Sequence, residues 1–239
     1  MLKKLLKENM GTSNLGWLES QFHFSFAEYR NMDNIQFGVL RVLNDDIVHP
    51  QGGFDTHPHA NMEIISYVVR GEITHRDSMG NAETLKRGEV QYMSAGDGIH
   101  HSEHNHHKSE DLRLLQIWIL PPKNGLPRIY GSHKFIESER KNRLLNIVSS
   151  NEGTAKVKIH QDVNLFVSEL DENLSLDYTI KEHRQLYFAQ IEGELSVNGI
   201  VLNSGDAMEI TKESQLSIKA LTQSHFLFIE MQIPKNDLF

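Results

Sequence analysis

The sequence predicts an all-β protein made of two similar β-units in tandem. Three observations carry this. Apolar residues alternate at period two along many short stretches, with glycines at the turns between them. Long helical periodicity is scarce. One pattern, centred on Gly-Glu, occurs twice.

The elements follow in order. Gln36 to Val42 (Gln-Phe-Gly-Val-Leu-Arg-Val) reads as a strand. Met62 to Val69 is an apolar, β-branched run ended by Gly71. Asp77-Ser78-Met79-Gly80-Asn81 is a turn between two strands. Leu112 to Leu120 reads as a buried strand, stopped by Pro121-Pro122. The repeat pairs Tyr67-Val68-Val69-Arg70-Gly71-Glu72-Ile73 with Phe188-Ala189-Gln190-Ile191-Glu192-Gly193-Glu194-Leu195. After each comes a turn and then a glycine opening a strand, Arg87-Gly88-Glu89-Val90 and Ser204-Gly205-Asp206-Ala207. Gly125, Gly131, Ser132 and the charged run Glu137 to Arg143 supply loop chemistry between the copies. The expected domains are residues 1–130 and 131–239.

Composition narrows the function. The chain has 239 residues, 38% hydrophobic and 23% charged, which is ordinary for a globular protein. Its formal net charge is −8, so the basic footprint of a nucleic-acid binder is missing. With no cysteine, disulfides and thiolate metal sites are excluded. The N-terminal Met1-Leu2-Lys3-Lys4-Leu5-Leu6-Lys7 lacks a signal-length apolar run, and no stretch reaches the ~18 apolar residues of a membrane helix. A cytoplasmic protein without membrane or nucleic-acid partners is expected.

Two short stretches carry chemistry: His57-Pro58-His59 and His101-Ser102-Glu103. On a strand, side chains two apart share a face, so each pair points the same way. Two neighbouring strands then offer three imidazoles and a carboxylate to one point. Such a donor set suits iron, nickel, cobalt, copper or zinc and leaves positions open for a substrate. Pro58 fits a strand end or edge, where no ladder hydrogen bond is donated. Gly52-Gly53 and Gly96-Asp97-Gly98 precede the two pairs and leave space beside them.

Alternatives remain open at this level. Glu63, four after His59, rivals Glu103 as the carboxylate. His100, His101, His104, His106 and His107 crowd together, but parity puts His101, Glu103, Asn105 and His107 on one face. His104 or His106 could replace a member of the set. His75 and Gln116 are expected on the same barrel wall, and Phe54 and Tyr92 as apolar walls for a ligand. His23, His49 and His225 have no partner at ligand spacing and read as structural. In the second copy Thr179, Lys181 and Gln185 stand where His57, His59 and Glu63 stand in the first, and Leu216, Ser217, Ile218 and Lys219 match the His101 region. The second unit is thus expected to hold no metal ligands.

The pattern His57-x-His59-x-x-x-Glu63…Gly71, then Gly88…Gly96…His101, resembles the two cupin motifs. It departs from them in having seven residues between Glu63 and Gly71 and Ser94 where proline is usual. More specifically, the chain resembles the pirin family. The resemblance rests on Gly16-Trp17-Leu18, Phe22-His23-Phe24-Ser25-Phe26, Gly53-Phe54-x-x-His57-Pro58-His59 and Gln91-Tyr92-Met93-Ser94-Ala95-Gly96-x-Gly98-Ile99-x-His101-Ser102-Glu103. It is dense from about residue 16 to 130 and diffuse beyond. It implies two tandem cupin-type β-barrels, a bicupin jelly roll with metal in the first. It implies His57, His59, His101 and Glu103 as ligands, so it favours Glu103 over Glu63. The expected metal is one divalent ion, Fe(II) first, with nickel, cobalt, copper, manganese or zinc as alternatives. The implied activity is quercetin 2,3-dioxygenase-like cleavage of a flavonol with O2, with Glu103 as the base that takes the 3-hydroxyl proton. The alternative it carries is a metal- or redox-sensing co-regulator that meets a protein partner without turnover.

Overall fold

A computed structural model of the chain describes residues 1–234, nearly all of them in strands and the turns that join them. Contacts divide the chain into two compact units. One comprises Gly11–Phe135 and Val157–Gln161; the other comprises Met1–Met10, Ile136–Lys156 and the described residues from Asp162 onward. The expected cut after residue 130 therefore shifts, and two short segments change sides. The first strand, β1 (Leu2–Leu5), leaves the N-terminal unit because it pairs with β20 (Ala207–Ile210), Leu2 opposite Ile210, and its Leu2 packs on the second core.

The first unit contains β2 (Gly11–Asn14), β3 (Leu18–Phe22), β4 (Leu40–Val48), β5 (Gly53–His59), β6 (Glu63–Arg70), β7 (Glu72–Asp77), β8 (Ala82–Lys86), β9 (Val90–Ser94), β10 (Ile99–His104), β11 (Leu112–Ile119) and β12 (Ile129–His133). After β13 (Leu145–Ser150) of the second unit, β14 (Val157–Ile159) returns to the first. A seven-stranded sheet runs β12-β9-β6-β11-β4-β3-β2, and a four-stranded sheet runs β5-β10-β7-β8. Neighbouring strands in both sheets pair antiparallel. Val48, Val68, Ile73, Leu85, Leu112 and Leu114 form one apolar cluster, and Ile64, Met93, Ala95 and Ile99 another. Burying such side chains stabilises the unit by roughly 1.5–3 kcal/mol each.

β4 differs from the expectation of a strand over Gln36–Val42. It starts at Leu40 and continues to Val48, through Asn44-Asp45-Asp46. Those three residues have poor strand propensity, so the sequence reads as if the strand stops before them. Tertiary contacts override that. Arg113 on β11 forks onto Asp45 with bonds of 2.8 and 2.6 Å, while Asn44 and Asp46 turn to the opposite face.

The second unit contains β1, β13, β15 (Val163–Leu170), β16 (Ser175–Thr179), β17 (Arg184–Glu192), β18 (Glu194–Val197), β19 (Ile200–Asn203), β20, β21 (Gln215–Ala220) and β22 (Ser224–Gln232). Its larger sheet contains β1-β20-β17-β22-β15-β13 in that order, and its smaller sheet runs β16-β21-β18-β19. Leu186, Phe188, Phe226 and Phe228 lie in its core with Leu195, Leu216 and Ile218. The charged run after Phe135 forms one helical turn, Glu137–Arg140, rather than open loop. Among the described residues no helix is long and apolar enough to cross a membrane.

Candidate metal centre

The site forms where the four-stranded sheet of the first unit faces its seven-stranded sheet. β5 is an edge strand, so Pro58 costs no ladder bond. β5 lies against β10 with His57 opposite His101 and His59 opposite Ile99. A register shift between His101 and Glu103 then sets Glu103 opposite Phe54. Gly53 makes the close pairing possible: a Cβ there would sit 2.6 Å from the Glu103 carbonyl oxygen and 2.4 Å from the His104 ring.

The three imidazoles meet. Ring centroids are 4.8 Å apart for His57 and His59, 4.5 Å for His57 and His101, and 4.9 Å for His59 and His101. One nitrogen from each lies within 4.8 Å of the others. His57 Nδ1 donates to the Asp55 carbonyl at 2.7 Å, which leaves Nε2 as a free lone pair. Both ring nitrogens of His101 are buried without a hydrogen-bond partner. Burial first, then the charge that neighbouring imidazoles would carry, lowers His59 to about 4 and His101 to about 3. Both rings are therefore neutral at pH 7, the form that binds metals. The orphaned His101 nitrogens and the three converging imidazoles fit a divalent cation.

Glu103 is buried beside them and is fixed from the facing sheet. Its Oε1 accepts from Ser66 Oγ at 2.7 Å and from Gln91 Nε2 at 2.6 Å, and its Oε2 accepts from Gln116 Nε2 at 2.7 Å. These donors occupy one cross-strand row, since Gln116 pairs with Ser66 and Ser66 with Gln91. Glu103, His101 and His75 also bring one donor atom each within 4.8 Å. His75 sits behind His101 with ring centroids 5.3 Å apart, stacked on Tyr130, and its Nε2 lies 3.4 Å from Asp77.

Glu63 is separated from this cluster. It is odd in number on β6 where Ser66 is even, so it projects from the opposite face of the sheet. Its carboxyl accepts from Tyr92 Oη and from the backbone N–H groups of His160, at 2.7 Å, and Gln161, at 2.9 Å. This corrects two expectations at once. Glu63 does not join the imidazoles, and Tyr92 is a fully buried partner of Glu63 rather than a wall of the ligand space. Segment 157–161 joins the first unit partly through these two backbone bonds.

His100 and His104 face away from the cluster, with His104 Nε2 3.3 Å from Asp55 and its ring stacked on His106 at 5.4 Å. Asn105 is buried but bonds the Val48 and Glu110 carbonyls, and His107 accepts from the Glu110 N–H. His23 is buried, which lowers it to about 4. His49 pairs with Asp111 and Glu19, and His225 with Glu192. Among the described residues, both groups able to hold a metal lie in the first unit.

A cavity of about 290 Å³ opens onto the cluster. His57, His59, His101, Glu103 and Gln116 line one side, and Leu18, Phe22, Phe26 and Phe54 supply apolar surface. Phe54 and Gln116 are both in this lining, and His75 is outside it. Sequence reasoning missed Ser66 and Gln91, which hold Glu103, and the lining residues Ser20, Asn44 and Asp46. The signal for Ser66 and Gln91 was legible: each is a lone polar residue inside an apolar strand, facing the same way as its neighbours two apart.

Known proteins share this arrangement of strands and sequence. Residues 5–119 match the Pirin family, and residues 146–231 match the quercetinase C-terminal cupin domain. The chain is 38% identical over 221 residues to quercetin 2,3-dioxygenase of Escherichia coli (strain K12), covering 92% of this chain and 94% of that one. The chain belongs to the pirin family. A pirin-like protein of Caulobacter vibrioides is 36% identical over 93% of this chain and 96% of its own length. The crystal structure of the bacterial pirin YhhW from Escherichia coli in complex with nickel(II) matches with a TM-score of 0.92 and 35% identity, over 98% of this chain and all of that one. This pirin is accordingly a bicupin, with one cupin domain in each matched segment.

Proposed function

We propose that this pirin is a metal-dependent dioxygenase that cleaves flavonols such as quercetin with O2. The observation that carries the reading is the convergence of three imidazoles and one firmly held carboxylate at an apolar-walled cavity. Relatives named quercetin 2,3-dioxygenase support it. His57, His59, His101 and Glu103 would hold one divalent ion, Fe(II) first and nickel next. When bound, it would supply Lewis-acid stabilisation of a flavonol oxyanion and a binding place for O2.

The chain's own residues do the rest. Glu103 takes the flavonol 3-hydroxyl proton on a carboxylate oxygen, near the ligand oxygen that loses it. Ser66, Gln91 and Gln116 keep that carboxylate in one orientation, so little reorganisation accompanies the transfer. Leu18, Phe22, Phe26 and Phe54 hold a flat aromatic body and exclude water.

Oxygen uptake and carbon monoxide release from quercetin, measured on metal-loaded protein, test this. The wild type should consume O2 and release CO in step, and His101→Ala should lose at least about 100-fold in rate. Turnover that survives His101→Ala would refute the assignment. Metal retained without any flavonol turnover would favour the redox-sensing co-regulator instead.

A further inference from the structure

The side of the cavity away from β5 and β10 has its own chemistry. β3 and β4 are paired in the seven-stranded sheet, with Ser20 opposite Asp46 and Phe22 opposite Asn44. β11 lies on the other side of β4, with Gln116 opposite Asn44. Gln116 is committed to Glu103 and Ser66. Asn44 and Asp46 lie next along the same sheet face, line the same cavity, and are only 3% and 2% exposed.

Both carry acceptor oxygens. The Asn44 amide oxygen is buried with no hydrogen-bond partner. Asp46 takes a 2.5 Å hydrogen bond from Ser20 at Oδ1, and a carboxyl oxygen has lone pairs for further donors. Leaving a buried acceptor orphaned destabilises the fold, so a residue kept that way on a cavity wall points to a donor brought by the ligand. Residues two apart on a strand place their side chains ~6.5–7 Å apart, enough for two separate hydroxyls on one aromatic framework.

We propose that Asn44 and Asp46 form a hydroxyl-reading wall that makes this cavity selective for polyhydroxylated aromatic ligands over the same frameworks without hydroxyls. The proposal rests on the flavonol-dioxygenase reading only for the choice of ligand; the wall would read any aromatic hydroxyl of matching reach. Phe22 and Phe26 carry the ring, and the acceptors take the hydroxyl hydrogens. Burial raises Asp46 to about 7, yet its carboxyl accepts a hydrogen bond in either protonation state.

Equilibrium binding to metal-loaded protein kept free of O2 separates affinity from turnover. Two ligand pairs are compared: quercetin with 3-hydroxyflavone, which retains only the 3-hydroxyl, and 4-phenylcatechol with biphenyl. The wild type should prefer the hydroxylated member by ~5–20-fold. Asn44→Leu should bring that ratio within twofold while raising Tm by ~2–4 °C, because an unsatisfied polar group is removed. Asn44→Asp keeps an acceptor in place and should keep the preference. A preference that survives Asn44→Leu, or no preference in either pair, overturns the wall. If neither flavonol binds but 4-phenylcatechol is preferred and Asn44→Leu abolishes that preference, the wall stands and the flavonol reading falls.

Discussion

Three donors from β6, β9 and β11 converge on the Glu103 carboxylate, and none of them touches the imidazoles by hydrogen bond. Their role is to fix where the fourth donor points. Gln116→Leu is a near-isosteric change that removes the Gln116 donor on Oε2 and leaves the histidines alone. Metal affinity measured by chelator competition should fall by ~10–100-fold with the fold retained. Unchanged affinity would show that Glu103 needs no such support. Asp46 gives a second test at this scale. Its folded value of about 7 lies above its ordinary 3.8, chiefly through burial, with Asp45 and Glu103 adding to it. Between those values the folded chain binds more protons than the unfolded one, so stability declines as pH rises toward 7 and then levels off. In metal-free protein, Asp46→Asn should therefore gain on the wild type by on the order of 2–3 kcal/mol between pH 5 and pH 8, read by urea unfolding. His23, His59 and His101 titrate in both proteins and cancel in the comparison. Parallel stability curves would contradict the assignment.

At the scale of the strand, alternation explains both what was readable and what was not. His57 with His59, and His101 with Glu103, are local pairs on single strands, so period two alone sets their directions. The Glu63 question was not local. It required knowing that β6 lies in the facing sheet and which of its faces meets the cavity, a matter of pairing across the sheet. β4 runs past its expected end for a related reason: Asn44-Asp45-Asp46 looks like turn chemistry until Arg113 and the cavity supply partners. Glu63 now has a structural role, tying residues 160–161 onto β6 and β9 through two backbone N–H groups and Tyr92. Glu63→Ala leaves those buried donors unpaired and should cost about 3 kcal/mol in chemical denaturation. Metal content per chain should stay at the wild-type value; a loss of bound metal without a loss of stability would restore Glu63 as a ligand.

At the scale of the whole chain, the internal repeat announced two β-units, because each Gly-Glu turn is set by short-range glycine geometry. Gly71 and Gly193 both adopt positive φ, +73° and +82°, in equivalent turns. The exchange of β1 and residues 157–161 between the units was hidden, since each depends on partners roughly 100–200 residues away. What the two units divide is chemistry. Among the described residues, the groups fit to hold a metal lie in the first, while Leu186, Leu216 and Ile218 pack the core of the second. The proposed function requires that His57, His59, His101 and Glu103 hold one divalent ion. Anomalous X-ray scattering from crystals of metal-loaded protein, collected at the metal's absorption edge, tests it directly. One peak per chain is expected, within ~2.0–2.3 Å of a nitrogen from each of the three histidines and a Glu103 oxygen. A peak at Glu63, in the second unit, or at none of these residues would contradict it.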